Sequence, residues 1–150
     1  MTGGAMKAIY INSHDPREGG VNGARRRVTA IMSSPVQCVR ASTTLGVALQ
    51  TMVRSAVRHL AIVDDNSRFI GILSDRAIAA AWAADPSCLA RVEVSAAMES
   101  GPAIVGPGAH VLDAARAMRA IGTDAVAVVD PAGVVVGIVT GSDMIAQLAR

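Results

Sequence analysis

The chain repeats itself, and this repetition constrains the fold more than any other feature. Laid on itself with Val28 over Val94, it aligns without a gap. VTAIMSS, from Val28, falls on VSAAMES, from Val94, and LAIVDDNSRFIGILS, from Leu60, falls on VAVVDPAGVVVGIVT, from Val126. Between these runs Val39 meets Val105, Ala48 meets Ala114 and Met52 meets Met118. The copies span 28–80 and 94–146. A repeat of this kind marks one supersecondary unit that cannot bury its apolar face alone, so the two copies must pack on each other.

Each copy reads in the same order. A short strand comes first, Val36–Arg40 or Ala103–Val105. A helix follows, with Ser42, Thr43 or Thr44 placed to cap it and Leu45, Ala48, Leu49, Met52 and Val53 forming an apolar face. In the second copy Val111, Ala114, Ala115, Met118 and Ile121 form that face, and Gly122 is placed to end the helix. Two apolar runs come next, Leu60–Val63 with Phe69–Leu73, and Val126–Val129 with Val134–Val139. The residues between them, Asp64–Ser67 and Asp130–Gly133, are those of a hairpin turn. A last helix starts near Asp75 or Ser142. The expected fold is α/β of the α+β kind: strand, helix, hairpin, helix, twice, sheet against sheet about a pseudo-two-fold axis. This divides the chain into a flexible arm 1–27 with a short strand at Ala8–Ile11, repeat one at 28–84, a linker 85–93 containing Pro86, and repeat two at 94–150.

Composition narrows the function classes. Hydrophobic residues make up 51% and charged residues 17%, enough for a globular core, while aromatics are only 2%. The core is therefore built from Ala, Val, Ile, Leu and Met. A net charge of +2, with one basic cluster at Arg25–Arg27 in a Gly-rich segment, gives no nucleic-acid footprint. Cys38 and Cys88 lack metal-ligand spacing, and His14, His59 and His110 are scattered. No apolar run approaches the ~18 residues of a membrane span, and the N-terminus has no secretory pattern. The expected location is the cytoplasm.

The openings VTAIMSSP and VSAAMESGP, the segment RHLAIVDD before the first hairpin, and the endings GILSDRAI and GIVTGSDMI resemble the CBS-domain family, in the form of a stand-alone bacterial tandem pair (a Bateman module). The resemblance covers about four-fifths of the chain. It implies a non-enzymatic regulatory module, often a homodimer, with AMP, ADP, ATP or S-adenosylmethionine as a regulatory ligand in a cleft between repeats.

The resemblance also implies site residues. In the second ending, Asp143 matches the family's ribose acceptor, since one carboxylate accepts from two vicinal hydroxyls. Thr140 and Ser142 match groups that face ribose or phosphate near a helix N-terminus. The plainer reading is that Ser142 and Asp143 only cap the last helix. Arg58 and His59, just before a strand, match positions from which basic side chains reach a phosphate. The base is expected against Pro102, Ala103, Val105 and Ile138. The first ending departs from the pattern: Ala77 stands where Asp143 stands, and Asp124 stands where Arg58 stands. Asp143 with Arg58 and His59 are thus expected in one competent cleft, and Ala77 with Asp124 in the other.

The leading expectation is a sensor of adenine nucleotides that signals to an unknown protein partner by a change of shape. The alternative is an interaction and dimerisation scaffold with vacant clefts. For an enzyme, only Asp143 with His59 offers an acid–base pair, and the family uses those positions for binding.

Overall fold

The two copies form two three-stranded sheets that face each other across an apolar layer. The computed structural model describes residues 23–99 and 101–149, so the strand expected at Ala8–Ile11 lies outside the described residues. In repeat one, β1 (Cys38–Arg40) leads through α1 (Leu45–Ser55) to β2 (His59–Val63), β3 (Phe69–Ser74) and α2 (Asp75–Ala84). A one-turn helix, α3 (Cys88–Arg91), follows. Repeat two is β4 (Ala103–Val105), α4 (Val111–Ile121), β5 (Ala125–Val129), β6 (Val135–Thr140) and α5 (Gly141–Leu148). In each sheet the first strand pairs parallel with the second, and the second antiparallel with the third. A parallel neighbour needs a crossover, which α1 and α4 supply.

Alternation along the central strands divides the core. Leu60 and Ile62 point to the helices of repeat one, and Val126 and Val128 to those of repeat two. Ala61, Ala125 and Ala127 point the other way, into a third cluster with Phe69, Ile72, Ile104, Val135 and Ile138. Successive side chains on a strand take opposite faces. On these central strands the larger residues meet helices, and the alanines let the two sheets approach.

The helices begin and end where side chains supply the missing partners. Of the three hydroxyls placed to cap α1, Thr44 does so, accepting the Val47 N–H. Gly122 closes α4 in the left-handed region at φ 77°. Two sequence expectations are corrected. Val53 is 73% exposed, because it lies about 80° round the helix from Leu45. Ala115 is also exposed. The linker contains α3, set off by Asp85, whose Oδ1 accepts both the Ser87 N–H and its hydroxyl.

The segment that leads into each repeat packs on the other one. Val28, Ile31 and Met32 join the core of repeat two, and the Val28 N–H donates to the Ala109 carbonyl at 2.9 Å. Val94, Ala97 and Met98 join the core of repeat one, and the Val94 N–H donates to the Thr43 carbonyl at 2.7 Å. The Arg26 carbonyl accepts the Val111 N–H, and the Ala24 carbonyl the Leu112 N–H, so this strap also covers the start of α4. The buried face of α4 is rotated toward Asp113 and Ala117, which leaves Ala115 outside.

Candidate functional site

A cleft of about 810 Å³ opens where the two repeats meet. One wall is the strap of repeat one, Met32–Gln37. A second is the end of α1 with Arg58 and His59, and the start of α2 with Asp75 and Arg76. Repeat two contributes Asp124, Ile138, Thr140, Gly141 and Ser142. The strap is held against β6 by paired backbone bonds: the Ser33 N–H donates to the Ile138 carbonyl at 2.9 Å, and the Ile138 N–H to the Ser33 carbonyl at 3.3 Å. This approach needs glycine at 137, since a Cβ there would overlap the Met32 side chain.

The structure brings five of the nine sequence-derived residues to this cleft: Arg58, His59, Ile138, Thr140 and Ser142. Asp143 stands one position beyond the lining. Its Oδ2 accepts the Thr140 N–H at 2.8 Å and the Thr140 hydroxyl at 3.1 Å. The Asp143 N–H in turn faces Thr140 Oγ1 at 3.4 Å. This reciprocal capping box is the helix-cap role that the sequence offered as the plainer reading. Pro102, Ala103 and Val105 are buried and do not line this cleft; Ala103 and Val105 sit in the core of repeat two. The wall expected from them is built by Met32–Gln37, because the strap crosses from repeat one onto β6.

Asp124 is the other departure, since it faces the cleft of Arg58 and His59 and not the opposite one. Antiparallel pairing sets Ala125 against Thr140, so Asp124 lies beside the start of α5, where the Gly141 N–H donates to its carbonyl at 2.8 Å. Its carboxylate spans to repeat one, with Oδ1 at 3.3 Å from His59 Nε2 and Oδ2 at 2.5 Å from Arg76 Nη2. Arg58 meets Asp75 through Nε at 3.1 Å, since His59 pairs with Ser74 across the hairpin. Partial burial pushes the Asp75 carboxyl up. The hydrogen bond and charge of Arg58, the Arg76 N–H and the charge of His59 outweigh it, so Asp75 sits below the usual carboxylate range. Sequence reasoning missed Asp75, Arg76 and the strap; the hairpin register is the signal that would have found the first two.

The cleft thus offers hydroxyls at a helix N-terminus, an apolar Ile138 wall, and cations balanced by two carboxylates. A family model described as CBS domain matches residues 28–84 and again 93–150. The chain belongs to the CBS-domain family. A CBS domain protein of Thermoplasma acidophilum has 32% identity and a TM-score of 0.73, over 83% of this chain and 70% of that one. The CBS domain pair of protein MJ0100, solved in complex with 5′-methylthioadenosine and S-adenosyl-L-methionine, has 27% identity and a TM-score of 0.72, over 83% and 99%. CBSX2, solved in complex with AMP, has 26% identity and a TM-score of 0.68, over 83% and 99%. Two of these structural relatives therefore hold ligands that contain adenosine. Among the described residues no helix is long and apolar enough to cross a membrane.

Proposed function

We propose that this CBS pair binds an adenine nucleotide in the cleft between its repeats and passes its occupancy to a protein partner by a change of shape. The observation that carries this reading is the meeting of Thr140 and Ser142, at the N-terminus of α5, with Arg58 and His59 of the other repeat across one cleft. Hydroxyls and helix N–H groups suit ribose and phosphate, and a guanidinium binds phosphate in bidentate fashion. Asp143 takes the ribose by turning its carboxylate from the cap. The ligand acts as a regulator, one of AMP, ADP, ATP or S-adenosylmethionine, and the chain works as a cytoplasmic homodimer and not as a catalyst. Binding shifts shape only by its differential affinity for two arrangements of the repeats.

Calorimetry and thermal unfolding with AMP, ADP, ATP and S-adenosylmethionine test the proposal, on the natural chain and on Asp143→Ala. A ligand that binds only the folded state stabilises it by about 1.4 kcal/mol at ten times its Kd. Stabilisation of the natural chain and not of the variant supports the site. No response to any of the four moves the assignment to the second reading, a scaffold with vacant clefts. The ion pairs favour that reading, since Arg58, His59 and Arg76 already have carboxylate partners.

A further inference from the structure

Asp124 reaches from repeat two to two side chains of repeat one. One carboxylate is shared between two nitrogen donors of the opposite repeat: Oδ1 faces His59 Nε2 at 3.3 Å and Oδ2 faces Arg76 Nη2 at 2.5 Å. All three side chains line the cleft. Two oxygens on one anionic centre, held by an arginine and a histidine near a helix N-terminus, is the arrangement a phosphate would adopt at the same place.

We propose that Asp124 is a built-in occupant of the phosphate position, a carboxylate that holds His59 and Arg76 until a nucleotide phosphate displaces it, and so sets how strongly the cleft prefers phosphorylated ligands. This rests on the nucleotide reading above and adds to it a residue that opposes binding. The Asp124 backbone is fixed by the Gly141 N–H, so the carboxylate stays poised at the cleft mouth. Its hold on Arg76 is weak because that pair is exposed, while the His59 side chain is only 12% exposed. The side chains of Arg76 and Asp124 are 71% and 48% exposed, and ion pairs in such surroundings contribute little net stability. A phosphate brings greater charge and more acceptor oxygens, so it wins the arginine. While Asp124 remains, it repels that phosphate and competes for the same donors.

The displacement has a second consequence. Asp124 belongs to repeat two, and His59 and Arg76 to repeat one, so a phosphate that takes their place cuts polar ties between repeats. Phosphorylated ligands alter the inter-repeat contact, and adenosine, which leaves Asp124 in place, does not.

Calorimetric titration with AMP and with adenosine, on the natural chain, Asp124→Asn and Arg76→Gln, tests this. Asn keeps the shape and removes the charge. Asp124→Asn is expected to bind AMP about twofold to fivefold more tightly, with adenosine unchanged from the natural chain. Arg76→Gln is expected to weaken AMP and leave adenosine unchanged. AMP binding by the natural chain that tightens in Asp124→Asn, with adenosine unchanged, supports both proposals. AMP affinity that is unchanged or weaker in Asp124→Asn, or an equal gain for adenosine, overturns the role of Asp124 and leaves the nucleotide reading standing. Absence of binding by AMP and adenosine to all three proteins overturns the inference, and the same absence with ADP, ATP and S-adenosylmethionine overturns the nucleotide reading as well.

Discussion

Met32, in the strap of repeat one, lies directly over Gly137 of repeat two, and no side chain fits between them. The repeat mirrors the contact, with Met98 over Gly71. The two are not equal. At Gly71 a Cβ would meet the far end of Met98, with Sδ at 2.7 Å. At Gly137 it would crowd Met32 along its length, including Cβ at 3.0 Å. Gly137→Ala is therefore expected to cost about 1–3 kcal/mol by overpacking, and Gly71→Ala less. Adding Met32→Ala to Gly137→Ala is expected to recover part of the loss. Urea denaturation of the four proteins checks the order.

The capping box at α5 predicts that Asp143 carries stability as well as any role in binding. Asp143→Ala removes the acceptor of the Thr140 N–H and is expected to cost about 1 kcal/mol, the net worth of one hydrogen bond. Asp143→Asn retains an acceptor oxygen and is expected to cost less, while lacking the charge that a ribose diol favours. Denaturation without ligand separates the two substitutions.

Ala61 is fully buried on the face where the sheets meet. Ala61→Val has nowhere to place two methyl groups without parting β2 from the opposite sheet. A loss of about 1–3 kcal/mol is expected. The matching exposed substitution Ala80→Val is expected to lie within about 1 kcal/mol of the natural chain. Thermal unfolding distinguishes them.

Arg58 holds the Asp75 carboxyl below its ordinary value of 3.8. A depressed carboxylate contributes stability that is present above the unfolded value and lost as pH falls through the folded one. Arg58→Ala is therefore expected to be destabilising at neutral pH by a small amount, and the gap to the natural chain is expected to close below about pH 4. Denaturation midpoints measured from pH 7 down to pH 3 test the sign.

Much of this fold was legible because it depends on local pattern. Asp64–Ser67 and Asp130–Gly133 mark their hairpins, Gly122 marks a helix end, and Leu45, Ala48 and Met52 mark a buried stripe. What was not legible depends on where one repeat touches the other. Ala115 fits the apolar face of α4 by spacing, yet the strap 24–28 pulls burial toward Asp113 and Ala117. Asp124 was assigned by symmetry to the cleft opposite Arg58, although the pairing of Ala125 with Thr140 brings it beside α5 and within reach of His59. Arg76 has no basic counterpart in repeat two, where Ser142 takes its place, so no repeated pattern marks it. The family resemblance points to Pro102, Ala103 and Val105 as a wall for the base, but the crossing of Met32–Gln37, a contact between repeats, takes that place.

That crossing makes the unit of sequence and the unit of folding two different things. Residues 28–33 complete the hydrophobic core of the second half, and 94–99 that of the first. A chain emerging from the ribosome has all of β1, β2 and β3 in hand but cannot seal their helical layer until Val94 and Met98 have followed. Cut between the halves, each piece would carry the other's missing clasp. The two should regain their structure on mixing far better than either does in isolation, like two hands that close only on each other.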